Sequence, residues 1–304
     1  MIENIKARDG KNLYICCWDK VEKPKGMLQI FHGMAEHAGR YKEFAEYLNS
    51  HGFIVYASDH RGHGKTADTV EELGYIGEDG FNSIVEDKHL IFEKMKREHP
   101  ELPMFLFGHS FGSFVAQEYI IRYGSELDGV VLSGSAAQKG IQVYGGRLIS
   151  SMEKLIFGEK KQSKLIDKLS FGSYNKRIKD DGHKFAWLSR DLNEVKKYEE
   201  DSFCGSVFTT GFFYYFMKGL RNLYKKERLS LIPTKLPIYI VSGKEDPVGG
   251  YGKLVKQLFK VYKKNGIRDV QIKLYPGCRH EILNEINKNE VYVDILNWLN
   301  LIKR

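Results

Sequence analysis

Short apolar runs alternate along the first 134 residues with longer stretches whose apolar positions recur every three or four residues. Met27-Leu28-Gln29-Ile30-Phe31, Phe53 to Ser58, the run opening at Met104 and Leu127 to Leu132 predict buried strands. Arg40 to Ser50, Phe81 to Glu98 and Phe114 onward carry helical spacing, with Ile84, Val85, Leu90, Ile91 and Met95 on one face of the second. Ile2 to Ala7 and Leu13 to Trp18, joined through Asp9-Gly10, predict a hairpin in front of them. The rhythm lapses near Ala137, and the chain stays helix-prone without buried strand runs up to Leu229. It returns with a strand at 237–243, a helix from Tyr251 to Lys264, a strand at 270–275 and a helix from Glu290 to Ile302. Strand and helix in alternation predict a mostly parallel sheet covered on both faces. The lapse predicts an inserted helical cap, residues 137–229, on a core made of residues 1–136 and 230–304. An insertion at the carboxyl ends of parallel strands sits over the ligand crevice.

Where the apolar run 104–107 meets the helix stands Gly108-His109-Ser110-Phe111-Gly112, a Gly-x-Ser-x-Gly pentapeptide. A strand that turns sharply into a helix at a serine is a nucleophile elbow. The pentapeptide alone is weakly specific; its place between a strand run and an amphipathic helix is what carries the prediction. In such an arrangement the partners follow in the order serine, acid, histidine. Only His183 and His280 follow Ser110. His183 falls inside the inserted segment, where a solvated loop histidine is expected, whereas His280 follows the last strand through Pro276-Gly277. By elimination His280 is the base that takes the serine proton and returns it to the leaving group. Asp246 sits directly after the strong strand at 237–243 and is the candidate for orienting the imidazole, with Glu245 beside it as the rival. Asp59 and Asp128 are poorer candidates by position. The oxyanion hole requires one backbone N–H after the serine and one after an earlier strand, which selects Phe111 and Met34. His32, next to that second amide, is expected to shape the loop rather than react.

Composition removes some alternatives. The net charge of +8 arises wholly in residues 137–229, which hold 19 Lys and Arg against 11 Asp and Glu, while the rest of the chain is balanced at 28 against 28. A uniformly basic nucleic-acid binder would not be built so, and no nucleic-acid-binding motif is present. The local surplus predicts attraction to an anionic membrane surface, weighed against a plain lysine-rich solvated face. Four cysteines, Cys16 and Cys17 adjacent, form no disulfide framework and suit a reducing compartment. The polar start of the chain lacks the apolar stretch of a secretory signal, and no uncharged run is long enough to span a bilayer. A cytoplasmic protein is expected. No His-Glu-x-x-His or Cys-x-x-Cys occurs, so neither a zinc site nor any other cofactor is implied. Gly64-Lys65-Thr66 ends like a phosphate loop, but the first glycine of that pattern falls on Asp59.

With these motifs assembled, the chain resembles the monoacylglycerol lipase and lysophospholipase group of α/β-hydrolases, which also takes in relatives labelled serine aminopeptidases. The matching segments are 32–41 (His-Gly-Met-Ala-Glu-His-Ala-Gly-Arg-Tyr), 59–64 (Asp-His-Arg-Gly-His-Gly), 108–113, 243–248 (Gly-Lys-Glu-Asp-Pro-Val) and 279–285 (Arg-His-Glu-Ile-Leu-Asn-Glu). Trp187 to Asp191 and Phe203-Cys204-Gly205 in the insertion are similar to bacterial members. The resemblance implies an α/β-hydrolase fold, Ser110, Asp246 and His280 as a triad, and the Met34 and Phe111 amides as the oxyanion hole. It implies hydrolysis of carboxylic esters of lipids, monoacylglycerols or lysophospholipids first. Phe111 stands where relatives commonly have Met, and Ser202 where they often have Pro; a bulky Phe111 would narrow an acyl channel. The aromatic crowd at Phe203, Phe208, Phe212, Phe213, Tyr214, Tyr215 and Phe216 has the composition of an apolar lid or tunnel. Two rivals remain: a peptidase, which would hold a substrate ammonium with acids such as Glu199-Glu200-Asp201, and a non-catalytic binding module, which would not need all three triad residues.

Overall fold

In the computed structural model, which describes residues 1–178 and 182–302, an eight-stranded sheet runs β1-β2-β4-β3-β5-β6-β7-β8. The strands are β1 (Ile2–Lys6), β2 (Asn12–Trp18), β3 (Gly26–Phe31), β4 (Phe53–Ser58), β5 (Met104–His109), β6 (Gly129–Ser133), β7 (Ile238–Gly243) and β8 (Val270–Tyr275). β1 and β2 form the expected hairpin and β2 joins β4 antiparallel; all other pairs are parallel. The core helices are α1 (Lys42–Ser50), α2 (Gly80–Glu98) and α3 (Phe111–Tyr123). The segment predicted as an insertion carries α4 (Ile141–Phe157), α5 (Lys164–Phe171), α6 (Leu192–Glu200), α7 (Thr210–Leu223) and α8 (Lys226–Leu229); α9 (Lys253–Lys264) and α10 (Lys288–Leu301) follow it.

Strands buried on both faces explain the continuous apolar runs in the sequence. Along β5, Met104 and Leu106 enter the cluster shared with α2, α3 and α9, while Phe105 and Phe107 enter the cluster under α1 and α10. One strand thus feeds two cores by simple alternation. The edges are polar: β1 alternates half-buried and exposed residues, and Lys273 on β8 is engaged by Glu290 and Asp294 of α10.

Among the predicted boundaries that move, three do so for a clear local reason. The stretch from Arg40 opens as a 3₁₀ turn, Ala38–Tyr41, before α1 begins at Lys42. β6 starts only at Gly129, because Leu127 closes a 3₁₀ turn and the Asp128 carboxylate accepts the Met104 amide. α9 starts at Lys253 because Gly250, Tyr251 and Gly252 all take positive φ, which no right-handed helix contains.

Parallel pairing places the carboxyl ends of β3, β5, β6, β7 and β8 at one rim. β3 lies between β4 and β5, so the order reverses there, and the loops after β3 and β5 flank the crevice where such sheets bind ligands. Between β6 and β7 the described residues form only helices and turns, apart from one isolated bridge, Gln162 to Thr209.

Candidate active site

Ser110 has φ +50° and ψ −120°, a conformation most residues avoid. The two glycines of the pentapeptide make it possible. A Cβ on Gly108 would meet the Gly112 carbonyl at 2.7 Å, and one on Gly112 would lie 2.1 Å from the Phe31 carbonyl oxygen. The elbow is anchored from β6, where the Ser110 N–H donates to the Ser133 carbonyl (2.9 Å). α3 begins at the next residue, so its N-terminal amides and dipole face the region around Ser110.

His280 and Asp246 are brought together from two different loops: His280 Nδ1 lies 3.0 Å from Asp246 Oδ2. Asp246 is fully buried and also accepts from the Val248 N–H (2.8 Å) and the Ser242 hydroxyl (3.1 Å). Burial alone would raise the Asp246 carboxyl; the His280 ring and these donors outweigh it and hold it below its usual range. Burial alone would lower His280, but the Asp246 carboxylate outweighs it and leaves the imidazole above its ordinary value. The Nε2 atom of His280 is buried without a hydrogen-bond partner among the described residues. Ser110 and His280 line the same cavity of about 960 Å³. Glu245, the rival acid, is exposed, and His183 pairs instead with Glu199 (2.7 Å).

The segment after β3 is held from both sides. The Gly33 N–H donates to the Glu36 carboxylate, and the next residue, Met34, lines the cavity. The Ala35 carbonyl accepts from the Gly205 N–H (3.0 Å) and the Tyr198 hydroxyl (2.8 Å), both in the insertion. Beneath it, His32, His60 and His63 pack ring against ring. His32 Nε2 accepts from the His60 N–H (2.9 Å), and burial pushes all three imidazoles down, His63 to about 3. They are neutral struts, in keeping with the loop-shaping role expected of His32. Asp59 pins the same region through the Ala38 and Lys65 amides (2.7 Å each).

The cavity wall departs from the aromatic crowd anticipated in the sequence. Phe208, Phe213 and Phe216 reach it, whereas Phe203, Phe212, Tyr214 and Tyr215 do not. Tyr214 instead lies under the Arg147 guanidinium, 3.6 Å from the ring centroid, and the Tyr215 hydroxyl meets Glu159. Aliphatic walls come from Val143 and Ile149 of α4, Ile166 of α5, and Met217 and Leu220 of α7. Phe111 forms part of the floor, packed on Phe212 and Phe216 with ring centroids 5.1 Å away. None of Glu199, Glu200 and Asp201 lines the cavity. Glu199 is engaged by His183, and Asp201 by His37 (2.9 Å).

The opposite face of α4 escaped the sequence reading. Tyr144, Leu148, Met152, Leu155 and Ile156 are all more than half exposed, as are Leu165 and Leu169 of α5. Their spacing of 4, 4, 3 and 1 residues was the available signal, a second apolar stripe on a helix that already buries one.

Among the described residues, one group of three side chains could in principle hold a metal: His37, Asp201 and Cys204. His37 Nδ1 accepts from the Gly39 N–H (3.2 Å), so Nε2 carries the proton and gives it to Asp201. A metal-binding imidazole needs the reverse, its outer nitrogen donating. The trio does not fit a metal.

A family model described as serine aminopeptidase, S33 matches residues 22–287. The chain belongs to this family of α/β-hydrolases. Within the family it is 29% identical to a monoacylglycerol lipase of Mycolicibacterium smegmatis over 95% of this chain and 93% of that one. It is 25% identical to the human monoglyceride lipase, over 96% and 88%. Among solved structures, a thermostable carboxyl esterase from Bacillus coagulans in complex with glycerol superposes with a TM-score of 0.92 at 29% identity, covering 99% of this chain and 98% of that one. A monoglyceride lipase variant from Saccharomyces cerevisiae bound to a substrate analogue shares the fold, at a TM-score of 0.78, 19% identity and coverage of 100% and 95%.

Proposed function

We propose that this protein hydrolyses carboxylic esters of lipids, monoacylglycerols first and lysophospholipids second, with Ser110, His280 and Asp246 as its catalytic residues. The observation that carries the reading is the His280 imidazole, tied through Nδ1 to a buried carboxylate and with Nε2 unpaired, lining one cavity with Ser110. His280 Nε2 takes the Ser110 proton as the hydroxyl oxygen attacks the ester carbonyl. Negative charge gathers on the carbonyl oxygen, where the Met34 and Phe111 amides stabilise it; losing one such donor costs about 3–4 kcal/mol. The imidazolium, steadied by Asp246, protonates the departing alcohol and leaves an acyl group on Ser110. A water deprotonated by His280 then attacks that acyl carbon, the serine leaves with the proton, and the fatty acid is released.

A cavity of this size walled by Val143, Ile149, Ile166, Met217 and Leu220 suits an acyl chain, and Phe111 on its floor would limit the chain's width. The names of the relatives favour glycerol monoesters. The peptidase reading loses the acids named for it: Glu199 and Asp201 are engaged by His183 and His37, and neither they nor Glu200 lines the cavity.

Residues 137–229 act as a cap in this reading, and the exposed apolar face of α4 and α5 is its lipid-facing side. Lys160, Lys161, Lys164 and Lys168, all exposed, lie in or just before α5 along the chain and suit an anionic surface. The four unpaired thiols suit a cytoplasmic location, with membrane contact through this face.

The test is a fluorophosphonate label together with a lipid screen. Ser110→Ala should lose both labelling and release of fatty acid from monoacylglycerols; retained labelling would mean another nucleophile. Leu155→Asp/Ile156→Asp should reduce cosedimentation with anionic liposomes while p-nitrophenyl butyrate turnover persists. Unchanged cosedimentation removes the docking face.

A further inference from the structure

The most heavily charged buried group beside the site has no part in the steps above. Arg40, Glu36 and Glu281 are each about nine-tenths buried or more at the side chain. Arg40 Nη1 lies 2.7 Å from Glu36 Oε2 and 2.7 Å from Glu281 Oε1, and Nη2 lies 2.7 Å from Glu281 Oε2. One guanidinium therefore spans two carboxylates, gripping Glu281 with both prongs of its fork. Glu36 spends its other oxygen on the Gly33 N–H and the Tyr41 hydroxyl (2.8 Å). Glu281 is the neighbour of His280, and its backbone N–H donates to the Leu188 carbonyl (2.7 Å) of the insertion. The guanidinium also lies 4.8 Å from the centroid of Tyr198, whose hydroxyl holds the Ala35 carbonyl.

We propose that Arg40 is a positioning residue for the hydrolysis: through Glu36 and Glu281 it ties the loop bearing the Met34 amide to the loop bearing His280. These loops leave β3 and β8, which lie four strands apart in the sheet order, so backbone pairing does not set their separation. The strut spans that gap beside the elbow. Two carboxylates against one guanidinium also leave a negative balance next to the imidazole. The charged groups acting on His280 are Asp246 after β7, its own neighbour Glu281, and Glu36 after β3, with Arg40 bound to the last two; the His109 ring at the end of β5 lies 4.8 Å away. The insertion adds the uncharged Trp187 ring, 5.2 Å away, and against that ring Tyr174, a phenol that burial keeps protonated. Burial keeps His109 neutral, at about 3, and raises Glu36, while Arg40 outweighs burial at Glu281 and holds it at about 2. Glu281 is thus the firmly ionised member nearest the base.

The inference rests on the proposed roles of Ser110 and His280. Arg40→Met would strand two buried carboxylates and could fail to fold, so the informative variants are Arg40→Lys and Glu281→Gln, assayed on p-nitrophenyl butyrate across pH. An ammonium keeps the charge and three donors, but as a compact point charge it lacks the planar fork that grips Glu281 with two nitrogens while reaching Glu36. Arg40→Lys should lose about 10- to 100-fold in kcat with little change in KM, as expected for a reacting pair displaced by a fraction of an ångström. Glu281→Gln keeps the shape and should move the acid limb of the kcat/KM profile down by roughly half a pH unit or more. A structural role alone would lower thermal stability without moving that limb. Arg40→Lys within twofold of wild type in kcat, or Glu281→Gln with an unshifted limb, overturns the strut. If the wild type hydrolyses no ester, the reading of Ser110 and His280 fails instead.

Discussion

Replacing Gly112 by alanine adds one methyl group at the tightest approach between the elbow and the loop after β3. The new Cβ would stand 2.1 Å from the Phe31 carbonyl oxygen and 2.4 Å from that of His32. Both obstacles are backbone, at the end of a strand paired on either side with β4 and β5, so neither can rotate away. Restoring an ordinary carbon–oxygen contact of ~3.3 Å requires the start of α3 and the end of β3 to part by more than about 1 Å. That movement separates Ser110 and the Phe111 amide from Met34. Over-packing of this kind costs about 1–3 kcal/mol in stability, and a misplacement of about 1 Å at the reacting atoms costs about 100-fold in rate. Gly112→Ala should therefore melt lower by several degrees and lose about two orders of magnitude in kcat for p-nitrophenyl butyrate. Gly145→Ala is the control. An added Cβ there meets nothing within 4 Å and sits inside α4, so it should raise stability by about 0.5–1 kcal/mol. A Gly112→Ala enzyme within threefold of wild type in kcat would refute the steric account of the elbow.

Two further outcomes follow from buried charge. Asp246→Asn would present an amide N–H to His280 Nδ1 and force the proton onto Nε2, so kcat should fall by about 10⁴-fold while the fold persists; a loss under tenfold, with folding checked by circular dichroism, would remove Asp246 as the orienting acid. Lys88 is wholly buried, donating to the Ser58 carbonyl (2.7 Å) and hydroxyl (2.6 Å), and burial drops it to about 7. An unfolded lysine keeps its usual value of about 10.4. Between those values the unfolded chain holds the extra proton, so raising the pH favours the folded form. The stability difference between wild type and Lys88→Met, read from urea melts, should shift toward wild type by about 2 kcal/mol from pH 7.5 to 9. A difference constant over that range would refute the depressed lysine.

The sheet, the elbow and the family were legible because each rests on local pattern. Strands buried on both faces leave continuous apolar runs, and a nucleophile on a strand-to-helix turn needs small neighbours two residues away. His280 was singled out by elimination, since only two histidines follow Ser110. Where boundaries slipped, as at Tyr251 and Leu127, a side-chain cap or a positive φ had overridden the apolar period. The cavity wall was harder to foresee. Seven rings in residues 203–216 share one composition, yet helical rotation turns Phe213 and Phe216 inward and leaves Tyr214 beneath Arg147.

The order of apolar and polar residues therefore determined by itself the alternating strands and helices, the turn at Ser110 and the lapse occupied by helices between β6 and β7. Those features depend on neighbours within a few positions, which the chain carries wherever it goes. Only the tertiary structure decided that Asp246 lies against His280, that Arg40 bridges the loops after β3 and β8, and which face of α4 looks outward. Such contacts join residues up to 241 positions apart, and their geometry is set by the order and twist of the whole sheet.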